Sequence, residues 1–291
     1  MKFWQAITWA ETDQLLEIAK FAEEVGFYGL MGADHALFPE VMAANYPYST
    51  TGLPPQTAES EYPDCWVTIA AMAAVTTSLK FTTGVYVLPL RNPIELAKAT
   101  STLAIISQGR FILGAGAGWM KEEFDIYGVE FNNRGKRFDE SLQVLRKLWQ
   151  GGMVEFHGDF FDFPKIQLSP TSQYDIPIYI GGSNTLALNR AATYGDGWIG
   201  AGNDPKDVPA IIDQLHKLRV AAARDHLPFE TIIGLKAKAD LNLFKSMQGT
   251  GMTSGVNYPF AYVLGQKSSL DDKKRMMEKF YNEVIRANDW T

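Results

Sequence analysis

The chain has 291 residues, enough to bury a full core as one large domain or as two smaller ones. Its 33 acidic and 27 basic side chains leave a formal charge of −6, and 46% of its residues are apolar, which excludes a disordered chain and makes a nucleic-acid partner unexpected. The one cysteine, Cys65, excludes an intrachain disulfide framework; the opening MKFWQAITWAETDQ lacks a signal-peptide pattern, and no stretch approaches the ~20 apolar residues of a membrane span, so a cytoplasmic protein without a membrane partner is expected.

In chain order, FWQAITW (3–9) reads as a strand, followed by a helix in which Leu15, Ile18, Ala22 and Val25 repeat at spacings of 3 and 4 until Gly26 ends it. FYGLMG (27–32) is the next strand, 65–76 a helix, and KFTTGVYV (80–87) a third strand. Asn92 as N-cap, Pro93 at N1 and Glu95 at N3 open a helix buried through Leu96, Ala99, Leu103 and Ile106. RFILGAGAG supplies the fourth strand, and Phe138, Leu142, Leu145 and Trp149 the stripe of the helix after it. IPIYIGG (176–182), GWIG (197–200) and TIIGLKAKA (231–239) follow as strands, with YPFAYVL (258–264) as the expected eighth and a last helix through Met276, Phe280 and Val284. Eight β/α units predict a single domain over 1–291, a (β/α)8 TIM barrel, because parallel strands need crossovers and closure removes both edges.

LGAGAGW (113–119) invites a dinucleotide-binding reading in an open doubly wound sheet. That fold would put the glycines on the first unit, with an acid ~20 residues beyond them. Here they fall on the fourth, and the acids downstream, Asp139 and Glu140, start an amphipathic helix. The loops 36–64 and 240–257 each follow a strand and should lie at the C-terminal mouth of the barrel, as lid or substrate wall or as plain surface. Segment 151–175 follows a helix and should lie at the other end or along the side.

Among residues able to carry chemistry, His35 follows the second strand, where a barrel histidine can exchange a proton, although it could also bond only locally. His157, His216 and His226 read as surface residues, and no ligand spacing predicts a metal site. Lys236 and Lys238 share one strand face and would serve Schiff-base chemistry or be solvated. Gly181 and Gly182 end a strand and Ser183 or Asn184 can cap the next helix; this is a phosphate seat or a tight barrel turn. Arg134, Lys136 and Arg137 would guide an anionic cofactor or pair with nearby acids. Trp4, Trp9, Tyr46, Tyr48 and Trp119 supply aromatic surface near the mouth, and Trp119, beside residues too small to bury it, is the one placed to face a planar ligand.

Together GADH (32–35), TTGVYVLPLRNPIELAK (82–98), the run from GRFILGAGAGW to VLRKLW (109–149) and PIYIGGSNTLALNRAATYGDGW (177–198) resemble the bacterial luciferase-like flavin and deazaflavin oxidoreductases. The resemblance implies a barrel, often dimeric, with a flavin or coenzyme F420 across the strand ends. It places a non-proline cis peptide at Gly84–Val85 with Thr83 beside it, brings Gly116 and Gly118 close to the cofactor, has Gly181, Gly182 and Ser183 hold its phosphate, and has Asp34 meet polar edges of the ring. G-x-G-x-G-W-x-x-x-E-F followed by R-G-x-R-x-D-E is more similar to the F420-dependent branch than to the FMN-dependent monooxygenases. In the sugar-phosphate dehydrogenases of that branch a histidine acts as base at the position of His35, and a partner glutamate falls on Trp119 here. The catalytic positions are therefore His35 and Trp119, with proton donation left to His35, Glu122, Glu123 or water. The departure makes glucose-6-phosphate an unexpected substrate and favours a bulky, largely apolar alcohol, ketone or activated alkene. FMN-dependent oxygenation and cofactor binding without turnover stand as the other readings.

Overall fold

Short strands alternate with longer helices, and the strands close on themselves. The computed structural model describes residues 1–43, 45–47, 49 and 51–290; Tyr48, expected at the mouth, lies outside them. The strands are β1 (Lys2–Ala6), β2 (Gly29–Gly32), β3 (Lys80–Thr83) with its continuation β4 (Tyr86–Val87), and β5 (Phe111–Gly116). After an external antiparallel hairpin, β6 (Val154–His157) and β7 (Asp162–Ile166), come β8 (Ile178–Gly181), β9 (Gly197–Asn203), β10 (Glu230–Leu235) and β11 (Ser254–Asn257). The order β3-β2-β1-β11-β10-β9-β8-β5-β4, with β3 also pairing β5, closes the ring, and with β3 and β4 taken as one broken strand it is an eight-stranded parallel (β/α)8 barrel.

Alternation along the strands explains the closure. Trp4, Ala6, Ile112, Tyr179, Ile199, Ile232 and Val256 fill the barrel, whereas Phe3, Leu30, Phe81, Phe111, Leu113, Ile178 and Trp198 pack outward under the helices. Trp4 is thus core, only 1% exposed. Caps follow the sequence: Asn92 accepts from Ile94 N–H with Pro93 in the first turn of the helix Pro93–Ile106, and Asp64 accepts from Trp66 and Val67 N–H at the start of Cys65–Ala74. The helix Arg134–Trp149 begins one turn before its apolar stripe. Among the described residues no helix is long and apolar enough to cross a membrane.

The C-terminal third departs from expectation. The eighth strand is Ser254–Asn257, paired with β1 and β10, and Phe260–Leu264 in the expected strand is helical. Pro259 is the reason: lacking an N–H and held at φ −52°, it cannot continue a ladder and leads into a helix. Nor is 240–257 a mouth loop. Asp240 caps Leu243 N–H and opens the crossover helix Leu241–Met247, which buries Phe244 and Met247. The loop 36–64 does reach across the mouth, since Glu61 accepts from Thr12 and Ala43 N–H donates to Glu122. Segment 151–175 forms the side hairpin, whose turn is held by Glu140 accepting from the N–H groups of Asp159, Phe160 and Phe161.

Glu23, near the end of the helix Leu15–Val25, ties that helix to the turn before β3 by accepting from Thr77, Ser78 and Leu79 N–H and from the Ser78 hydroxyl. Burial works against its carboxylate, but these donors outweigh it and lower the carboxyl from 4.5 to about 2. A depressed carboxyl stabilises fully above its unfolded value and loses that contribution as the pH falls from 4.5 toward 2. Replacing Glu23 by Gln should cost ~1–2 kcal/mol near neutrality after allowing for solvent screening. Denaturation curves should show that difference shrinking below the carboxylate range; a difference independent of pH would contradict the assignment.

Candidate active site at the barrel mouth

The site starts from a break in one strand. Thr82 pairs with Ile112 but Tyr86 with Ala115, so the stretch between β3 and β4 carries one residue more than the strand beside it. The Gly84–Val85 peptide within it is cis, at the bond the resemblance singles out. Thr83 is fully buried and its hydroxyl donates to Gly114 O at 2.6 Å, so this side chain braces the bulge from below. The glycines make room for it. A Cβ on Gly114 would lie 1.7 Å from the Thr83 carbonyl oxygen, and Cβ atoms on Gly116 and Gly181 would lie 2.4 and 2.5 Å from the Val85 methyls. LGAGAG is therefore a bed for the bulge, and Val85 is the half-buried side chain that rests on it. Gly118, just past β5, is left-handed at φ +79°.

Asp34 fixes the bulge from the other side. Oδ2 accepts from Val87 N–H at 2.9 Å, and Arg91 Nη2 lies 3.1 and 3.3 Å from the two carboxylate oxygens while its Nε donates to the Tyr86 hydroxyl. Burial pushes the Asp34 carboxyl up against the pull of Arg91, and Asp34 holds the Arg91 guanidinium above its usual value although burial opposes it. Expected to meet the edge of a ring system, Asp34 has both oxygens engaged by the bulge and its clamp.

His35 is next in sequence. Its Nδ1 lies 3.0 Å from Glu123 Oε2, and Glu123 Oε1 accepts from Ala36 N–H at 2.7 Å. The histidine side chain is 12% exposed and the glutamate 1%. A carboxylate can accept on both oxygens, so a neutral imidazole facing it would carry its proton on Nδ1 and leave Nε2 without one. Aromatic rings flank this pair. Tyr62 and Trp119 stand edge-on to His35 at 5.1 and 5.7 Å, and Tyr46 stands 5.0 Å from Trp119. On the far side Trp9 lies 6.3 Å from Tyr62, Tyr262 lies 5.5 Å from Trp9, and Tyr258 lies 6.4 Å from Tyr262. Trp9 holds φ +61°, a left-handed backbone rarely adopted by a bulky residue. Burial pushes the Tyr62 phenol up, so it stays a neutral wall.

At the opposite side of the mouth β8 ends in Gly181, and Gly182 turns at φ +110°. Trp198 Nε1 donates to Gly182 O at 2.7 Å, Asn203 Nδ2 donates to the Ser183 hydroxyl at 3.3 Å, and Asn184 caps Ala187 N–H to open the helix Thr185–Tyr194. An exposed hydroxyl, a bare turn and a positive helix end suit an anionic group such as a cofactor phosphate. Arg134 donates instead to Gly118 O and Phe131 O, and Arg137 to Pro89 O. Lys236 and Lys238 are exposed beyond β10, and His157, His216 and His226 are exposed too. Cys65 is buried, with its thiol pushed up by burial. Among the described residues no group of His, Cys, Asp and Glu could hold a metal ion.

Sequence reasoning kept Glu123 only as one possible proton donor and missed its bond to His35, 88 residues away. It also missed the Arg91 clamp and the Tyr62 wall. Local spacing shows none of these, because each pairs different strand-end loops.

The family profile described as luciferase-like monooxygenase matches residues 4–240. An uncharacterized protein of Mycobacterium tuberculosis is 33% identical over 287 residues, 98% of this chain and 99% of its own. The F420-dependent hydroxymycolic acid dehydrogenase of the same organism is 31% identical over 67% of this chain and 51% of its own. The F420-dependent glucose-6-phosphate dehydrogenase of Amycolatopsis mediterranei is 27% identical over 93% and 77%. Among solved structures, a monooxygenase from Streptomyces bottropensis superposes with a TM-score of 0.80 at 18% identity, covering 98% of this chain and 99% of its own. An F420-dependent secondary alcohol dehydrogenase with an F420-acetone adduct superposes at 0.75 and 17%, covering 99% and 100%.

If the glycine bed seats the bulge, Gly114→Ala should destabilise the protein by ~3 kcal/mol or more, because the neighbour it strikes is backbone. Gly32→Ala, where a Cβ meets nothing within 4 Å, should stay within ~0.5 kcal/mol of the parent in urea denaturation. Equal effects would contradict the bed.

Proposed function

The chain belongs to the luciferase-like monooxygenase family, and we propose that within it the protein is an F420-dependent oxidoreductase acting on a largely apolar alcohol, carbonyl or activated alkene. The observation that carries this reading is the His35 imidazole at the mouth, with Nδ1 held by a buried carboxylate and Nε2 left for a substrate proton. When bound, the deazaflavin supplies or accepts a hydride.

The residues present fit such a cofactor. Val85, raised on Gly116 and Gly181, gives a flat ring an apolar rest, with Thr83 and Gly84 fixing the bulge beneath it and Gly118 letting the strand end pass close by. Gly182 and Ser183, ahead of the helix Thr185–Tyr194, offer the phosphate its donors. Asp34 supports the ring indirectly, through Val87 and Arg91. His35 Nε2 takes the hydroxyl proton when an alcohol is oxidised and returns it to the oxygen when a carbonyl is reduced. Trp119 stands where a partner glutamate would be a proton donor; its indole has no acid to offer and serves as a wall. The arc of Tyr46, Trp119, Tyr62, Trp9 and Tyr262 keeps water from the reacting atoms and suits an apolar substrate body.

Membership of a family described as luciferase-like monooxygenase makes reduced FMN, with oxygen as co-substrate, the second reading. Fluorescence titration with F420 and with FMN separates them: the first reading expects saturable F420 binding and weak FMN binding. His35→Ala should leave F420 affinity unchanged and lower turnover by ~100-fold or more. Tight FMN binding with oxygen uptake and no response to F420 would overturn the proposal.

A further inference from the structure

Glu123 is a buried acid whose surroundings do not explain it as a surface or ion-pair residue. It sits on the short helix Lys121–Ile126, its side chain 1% exposed, and among the described residues no lysine or arginine pairs with it. Removing a carboxylate from water is costly unless its oxygens are bonded, and both are: one by the His35 ring and one by the Ala36 N–H. The acid therefore grips one dipeptide at two points. Two contacts on adjacent residues fix the imidazole's rotation as well as its distance, which a single contact would not. Edge-on rings of Tyr62 and Trp119 at 5.1 and 5.7 Å limit the remaining freedom of the imidazole. The neighbouring Glu122 accepts from Ala43 N–H, so the same short helix also holds the loop that crosses the mouth.

We infer that Glu123 is the positioning residue of the site: it sets the tautomer and orientation of His35 so that Nε2, and not Nδ1, exchanges the substrate proton. The inference rests on the proton-transfer role proposed for His35. It gives Glu123 no direct part in proton donation, since both of its oxygens are occupied in the dipeptide's grip. Glutamine is the informative replacement. A carboxamide offers one acceptor and one NH2 donor group. With Ala36 N–H claiming the oxygen, the NH2 would face Nδ1, which must then accept, and the ring proton moves to Nε2. Shape and volume are kept while the proton is displaced.

The test uses the full chain labelled with nitrogen-15, in which four histidines have to be resolved. The free protein should show the Nδ1–H tautomer at His35, assigned by its loss in His35→Ala, and Glu123→Gln should convert it to Nε2–H. With F420 and a secondary alcohol or ketone as probe substrate, Glu123→Gln should lower kcat by about 100-fold, leaving KM and F420 affinity within about twofold. Glu123→Asp, which keeps the acceptor, should recover part of that loss. An Nε2–H tautomer in the unaltered protein would overturn the inference, and so would a Gln variant with unchanged tautomer and kcat. If Glu123→Gln does not fold, the tautomer of the unaltered protein and of Glu123→Asp decides. Full turnover in His35→Ala would remove the proton-transfer role; the tautomer measurement needs no substrate, so the two failures are distinguishable.

Discussion

The mouth of this barrel depends on one contact, the Asp34 carboxylate bonded to Val87 N–H and Arg91 across the break between β3 and β4. An extra residue in a closed barrel must go somewhere, and here it is raised at Val85 because the facing strands present glycine at 114, 116 and 181. The carboxylate then pins the raised segment to the end of β2. The pair is largely shielded, with the Arg91 and Asp34 side chains 19% and 9% exposed, so removing either partner would leave the other poorly paired, at a cost below the ~3–5 kcal/mol typical of a fully buried pair. Such a pair gives little net stability by itself. What it supplies is a single position for the bulge.

The placement of the His35 imidazole follows from the same turn. Asp34 and His35 are consecutive, so fixing the first restrains the backbone of the second, and Glu123 completes the restraint from the short helix Lys121–Ile126 that follows β5. Chemistry built at strand ends inherits the rigidity of the barrel. Aromatic side chains from the segments beyond the strands surround it: 36–64 brings Tyr46 and Tyr62, the segment after β1 brings Trp9, and the short helix Phe260–Leu264 brings Tyr262. The strands thus set the fold and the raised Val85 bulge, and the aromatic wall comes from the segments that follow them.

How legible this was in the sequence depends on the range of each interaction. Alternation and caps are local, so seven strands, the helix opened by Asn92 and Pro93, and the side placement of 151–175 could be read directly. The eighth strand is misplaced because YPFAYVL has strand composition, while Pro259 within it cannot join a ladder and opens a helix instead. The helix Leu241–Met247 is too short for its apolar residues Leu243, Phe244 and Met247 to show a clear helical period, although Asp240 three residues before Leu243 is a usable cap signal. In the site, His35 and the cis Gly84–Val85 bond are positions that a resemblance can transfer. The partners of Asp34 and His35 lie 53 to 88 residues away, and no spacing rule reaches them. The glycine run was legible as close backbone approach, but what approaches it is the chain's own Val85 and Thr83.

The central claim is that the raised Val85 bulge is the support for a planar redox ring beside His35. A crystal structure of the protein with F420 bound tests it most directly. The account predicts one face of the ring in van der Waals contact with Val85, the phosphate at Gly182 and Ser183, and His35 Nε2 on the open, substrate side with Nδ1 still bonded to Glu123. A ring bound away from Val85, or a phosphate held elsewhere than at the start of Thr185–Tyr194, would contradict it.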